Sequence, residues 1–166
     1  MLTRRFNLIE LAAVLLVLGI VAFALLTRTL RYFEVAEKAA MTVTVLEVER
    51  ALRVRFALAM MQGAPLASQL TTDSNPFEFA RATPPNYLGE FSGPVDLHAL
   101  KTGNWFYSKD RREIAYLPRL TSRFKSEEAL AVPIVRYRLE LSGGRTTLLR
   151  LLPVAAYQWE PEFGTF

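Results

Sequence analysis

The sequence predicts an α+β protein, in which one long N-terminal helix, its first half crossing a membrane, packs on a C-terminal antiparallel sheet of three to four strands. Three observations carry this. From Leu11 to Leu26 no residue is charged, and with Leu8 and Ile9 the run approaches the ~20 residues that cover a bilayer core. Helical character then continues, with no proline before Pro65 and no glycine between Gly19 and Gly63. Beyond Trp105 the hydrophobic period drops from 3.6 to two, the spacing of half-buried strands.

Taken in order, residues 1–5 form a short basic segment and 6–28 the membrane helix, closed by Arg4 and Arg5 at one end and Arg28 and Arg31 at the other. These charges nearly balance, so the positive-inside rule barely chooses an orientation. A second reading of this segment is a secretory signal cut after Ala22-Phe23-Ala24; a carboxylate inside the apolar run and the lack of a polar stretch before the cut count against it. That carboxylate is Glu10. An acid in a spanning helix costs about 2.5–3.5 kcal/mol at mid-bilayer, so it is either functional or close enough to the end to reach the headgroups.

Residues 29–62 read as an amphipathic continuation, with Val35, Ala36, Ala39, Ala40, Val43 and Leu46 on the face to be covered and Arg31, Glu34, Lys38 and Glu49 on the solvent side. Glu34/Lys38 and Glu49/Arg53 are i,i+4 pairs. Residues 63–104 are proline-punctuated and read as an irregular connection, broken by one short helix with Asn75 as N-cap, Pro76 in the first turn and Glu78 at the capping-box position. Residues 105–166 form the β head: a hairpin of Trp105–Tyr107 with Glu113–Leu117, then the alternation Val135, Tyr137, Leu139, Leu141, a turn at Ser142-Gly143-Gly144-Arg145, and a returning strand from Thr146 to Leu152. Trp105, Tyr107 and Tyr116 read as core of the sheet.

Phe6-Asn7-Leu8-Ile9-Glu10-Leu11 on an apolar helix, after a five-residue basic leader, resembles the N-terminal signature of type IV pilins and type II secretion pseudopilins. The order of long helix, loop-rich connection and antiparallel sheet agrees with the pilin-like architecture of that family. Pro85-Asn86-Tyr87-Leu88-Gly89-Glu90, with Asn104-Trp105-Phe106-Tyr107 and Ile114-Ala115-Tyr116, is similar to minor-pilin heads. The resemblance implies leader cleavage by a prepilin peptidase between Arg5 and Phe6, N-methylation of Phe6, and an assembly salt bridge from Glu10 to the N-terminal amine of a neighbouring subunit. It also implies helix flexibility at Gly19. The family places glycine before the cut where this chain has Arg5, and often proline where it has Thr27. The partners implied are other pilin or pseudopilin subunits, the prepilin peptidase, an inner-membrane assembly platform and membrane lipid. The implied place is the bacterial inner membrane, single-pass, with the N-terminus cytoplasmic and the head periplasmic. The alternative is a non-polymerising, membrane-tethered periplasmic module binding a secreted substrate, DNA or a partner subunit.

The residues offer little to catalysis. His98 is the sole histidine and cysteine is absent, so a His/Cys zinc site, a thiolate nucleophile and a disulfide cannot be assembled, and His98 reads as a surface-loop histidine. No cofactor, metal or enzymatic activity is expected. Glu160 and Glu162 alone would have to supply a C-terminal calcium loop. A net charge of +4 is spread along the chain rather than gathered into a tail, which disfavours nucleic acid. Asp110-Arg111-Arg112 and Arg119/Arg123/Lys125 read as solvated turns, with a docking patch as the alternative.

Overall fold

The computed structural model describes residues 8–63, 74–127, 131–142 and 148–159. Helix α1 spans Leu8–Met61 without interruption, 54 residues or ~80 Å. Its threonines do not break it. Thr27 and Thr29 donate to carbonyls one turn back, Thr27 to Phe23 and Ala24 and Thr29 to Leu25, which satisfies hydroxyls that an apolar surrounding would otherwise leave unpaired.

The second half of α1 buries a different face from the one its hydrophobic pattern suggests. The buried positions are Glu34, Met41, Val45, Val48, Glu49, Leu52 and Ala59, whereas Ala36, Ala39, Ala40, Val43 and Leu46 are exposed. At 100° per residue the expected face lies almost opposite the observed one. Two glutamates in phase with Met41, Val45, Val48 and Leu52 disguise the true stripe, because a side-chain carboxylate scores as polar whether or not the fold supplies donors for it.

After the helix, Asn75 caps α2 (Pro76–Ala80) by accepting a hydrogen bond from the Phe77 amide, and Pro76 sits in the first turn. The stretch expected to be irregular also contains a strand, β1 (Tyr87–Phe91), which pairs parallel with β2 (Asn104–Ser108). Strands β3 (Glu113–Leu117), β5 (Val135–Ser142) and β6 (Leu148–Pro153) complete a five-stranded mixed sheet in the order β1-β2-β3-β5-β6; β4 (Phe124–Ser126) and β7 (Tyr157–Trp159) form a separate antiparallel pair. The sheet is therefore mixed and larger than the three to four antiparallel strands expected. A parallel pair needs a crossover of about a dozen residues. The chain from 92 to 103 supplies it. Gly89, at φ +108, accommodates the register shift of β1. The turn expected at Gly143 and Gly144 lies outside the described residues.

One core fills the space between helix and sheet. Met41, Val45, Val48 and Leu52 meet Trp105, Tyr107, Ile114, Tyr116, Val135, Tyr137, Leu139, Leu149 and Leu151, with Phe77 of α2 against Trp105 at 5.7 Å between rings. A second, smaller core lies on the other side of the sheet, where Phe106, Ala115, Leu117 and Ile134 are covered by Val95, Leu97 and Leu100 of the crossover and by Val132. Hence β2 and β3 are buried on both faces. That is why their sequences read as continuous apolar runs rather than alternating ones.

Candidate functional site

Arg5 and Phe6 lie outside the described residues. Glu10 stands in the first turn of α1 and is exposed, as is every described residue up to Leu26. Gly19 is helical, and a Cβ built on it would meet nothing within 4 Å, so its small side chain is not required by packing within this chain. The apolar stretch of α1 reaches a mean hydropathy of 2.8 with none of that window buried, long and apolar enough to span a bilayer.

Where α1 leaves that stretch, the head is fastened to it by carboxylates. Glu34, 2% exposed, accepts from Ser122 Oγ (2.6 Å), the Arg123 amide (3.1 Å) and the Trp159 indole Nε1 (3.0 Å). One turn on, Glu37 accepts from the Tyr116 hydroxyl (2.9 Å) and the amides of Arg119 (2.7 Å) and Leu120 (3.0 Å). Burial, reinforced by the hydrogen bond to Glu37, pushes the Tyr116 hydroxyl well above its ordinary range, so it remains a donor. Farther along, Glu49 accepts from the Leu151 amide (2.7 Å) and from Arg53 (2.8 Å), whose Nε donates to the Leu149 carbonyl (3.2 Å). Strand β6 is the edge of the sheet, so the Glu49/Arg53 pair stands in for the missing neighbouring strand and satisfies its free backbone groups. Glu49/Arg53 is thus the expected i,i+4 pair put to a second use, while Glu34, expected to face solvent with Lys38, is turned inward. The hydrophobic character of the residues does not announce this. The available signal is that Glu34, Glu37, Met41, Val45, Val48 and Leu52 fall three or four residues apart, on one helical face.

The outer side of the sheet carries a cleft of about 220 Å³ beneath the crossover. Val95, Leu97, Phe106 and Ile134 form its apolar wall and Ser108, Asp110 and Arg111 its rim. Glu113, 2% exposed, lies at the base between Arg136 (3.0 Å) and Arg138 (2.5 Å). Asp110 accepts from the Gly93 amide at 2.6 Å and ties the crossover to the β2–β3 turn. The geometry suits a small apolar group, since the Glu113 carboxylate already has two guanidinium partners. His98 is exposed on the crossover. Among the described residues no group of three or more His, Cys, Asp or Glu could hold a metal ion, and Glu160 and Glu162 lie outside them.

Compared with protein-family models, curated proteins and solved structures, the chain matches none.

Proposed function

We propose that this chain is a structural subunit, a pseudopilin or minor pilin of a type IV pilus, type II secretion or related filament machine, assembling in the inner membrane through side-by-side packing of α1. The observation that supports it most is the face of α1 turned away from the head. Leu18, Leu25, Tyr32, Val43, Leu46, Val54 and Met61 are each about half exposed or more, and they follow one another along a single side of the helix from the membrane stretch to its far end. A helix half-covered by its own head, and apolar along most of the opposite side apart from the exposed Glu47 and Arg50, suits packing against a second helix. Ala36, Ala39 and Ala40 on that side permit close approach.

In this reading Glu10 sets axial register: an acid in lipid is costly until a neighbour supplies a cation, so only one stagger of adjacent helices is comfortable. The role is architectural, without catalysis. In this reading the head lies in the periplasm, as the resemblance implies. Arg5 and Phe6 decide which cation Glu10 meets, the amine of a processed Phe6 or an arginine of an uncleaved leader.

Single cysteines at Val43 and at Lys38, introduced into a chain that has none, test it in membranes. Crosslinking to other pilin-like subunits through position 43 but not 38, lost in Glu10→Ala, is the expected result. Equal crosslinking at both positions, or indifference to Glu10→Ala, refutes the packing. The cleft under the crossover favours a second reading, a tethered binding module. Ligand-dependent protection of residues 93–97 in a chain that never crosslinks would establish that reading instead.

A further inference from the structure

We propose that the basic segment Arg119–Lys125 is a lipid-contacting edge of the head, seated on anionic phospholipid headgroups. The proposal rests on the membrane reading of α1 and on where the two carboxylate clamps hold the head. Arg28, the first charge after the apolar run, marks the exit of α1 from the hydrocarbon. Glu34 follows six residues later, ~9 Å along the axis, and Glu37 another turn on. The headgroup layer is about 5–8 Å deep on each side of the core.

The clamps convert this ladder into positions for the head. Arg119 and Leu120 are pinned by their amides to Glu37, whereas Ser122 and Arg123 are pinned to Glu34, so the chain descends towards the membrane as it runs from 119 to 123. Phe124 and Lys125 then enter β4, whose partner strand ends in Trp159, itself bound to Glu34. The descending segment brings Arg123 to just above the outer headgroups, with Arg119 about one helical turn higher, so long basic side chains can reach down to the phosphates. Arg119 and Lys125 are exposed and Arg123 is half-buried.

Among the described residues the charges around this level are predominantly positive. Arg28, Arg31 and Lys38 stand on α1, Glu34 and Glu37 are enclosed by head donors, and the exposed acid of the segment is Glu127. A girdle of cations at a fixed height over a bilayer fits a sheet of phosphates better than it fits a discrete anion, for which no enclosing pocket is present among the described residues at this place. The seating would fix the head's tilt over the membrane, and with it the direction faced by the open side of α1.

The full-length chain carries a fluorophore at Glu127→Cys and is reconstituted in an equimolar mixture of phosphatidylcholine and phosphatidylglycerol. Nitroxide-headgroup phosphatidylglycerol is then compared with nitroxide-headgroup phosphatidylcholine as quencher. We expect phosphatidylglycerol to quench several-fold more strongly at low salt, each cation being worth about five-fold in local lipid preference. The preference collapses towards one in Arg119→Gln/Arg123→Gln/Lys125→Gln and survives in Arg119→Lys/Arg123→Lys. Lys125→Glu, at an exposed position, gives an intermediate loss and guards against a folding defect in the triple variant. Equal quenching in the parent overturns the proposal, as does a preference lost only with Arg28→Gln/Arg31→Gln. A chain stripped from the bilayer by carbonate overturns the membrane reading and the proposal together. An inserted chain without lipid preference overturns the proposal alone, and the crosslinking through Val43 is read independently of both.

Discussion

Replacing Glu34 by alanine should loosen the head at its membrane-proximal end. The side chain is 2% exposed and its Oε1 serves two donors, the Arg123 amide and the Trp159 indole, while Oε2 serves the Ser122 hydroxyl. Ser122 is exposed and can turn its hydroxyl to water. The other two donors cannot, and each buried donor left unsatisfied costs about 1–3 kcal/mol. Relief of the carboxylate's own burial offsets part of this, which leaves about 3 kcal/mol, or a fall of roughly 6–12 °C in Tm for a chain of this size. Glu34→Gln separates acceptor from charge. Its amide oxygen can take the place of Oε1 and its NH2 can donate to Ser122, so only the charge assistance is lost, about 1 kcal/mol. Thermal unfolding of the full-length chain in micelles, followed by the fluorescence of Trp105 and Trp159, reads both. A cost of less than about 0.5 kcal/mol for alanine, or equal costs for glutamine and alanine, would refute the clamp, since neither fits a carboxylate that satisfies otherwise orphaned donors.

Leu52→Ala, at a fully buried position of α1 facing the sheet, should cost about 2–5 kcal/mol by urea unfolding, whereas Val43→Ala on the open face should be nearly neutral in the isolated chain. Gly103→Ala should cost on the order of 1–2 kcal/mol in thermal unfolding, because φ is +76 and the new Cβ would fall on the Arg119 side chain. Alkaline titration should show Tyr87 ionising late: burial pushes its pKa up to about 12, so the stability it contributes is complete below the ordinary tyrosine value of about 10 and lost as pH rises through about 12. Lys109 acts in the opposite direction on Glu90, its hydrogen bond (2.6 Å) holding that carboxylate below its usual range, so the contribution is present above the ordinary glutamate value and fades as pH falls through the depressed one. Lys109→Ala should return the Glu90 titration, followed by carboxyl NMR, towards that of a free glutamate.

Much of the architecture was legible because it rests on local rules. The helix from Leu8 to Met61 follows from an apolar run and an absence of breakers; the cap at Asn75 follows from Asn-Pro-x-Glu; the β2–β3 hairpin follows from two apolar runs flanking the polar turn from Ser108 to Arg112, and the Val135, Tyr137, Leu139 alternation follows from period two. The parallel strand β1 was hidden because its pairing is made across the chain from 92 to 103 and its sequence contains Gly89. The two-sided burial of β2 and β3 depends on that same crossover folding back over the sheet.

That a long helix carries both a membrane-length stretch and a head is readable from the residues in order, since length, charge and hydrophobic period are properties of neighbouring residues. Glu10 and the Phe6–Leu11 signature are likewise legible directly. Which side of the helix the head occupies is set by contacts between distant parts of the chain. That choice depended on backbone amides, an indole and hydroxyls brought from residues 116–123, 151 and 159 to Glu34, Glu37 and Glu49. An acid is hydrophilic in isolation, but with its oxygens filled by donors it can lie in an interface as well as a leucine does. Ala36, Ala39, Ala40, Val43 and Leu46, expected to be buried, were therefore left facing outward.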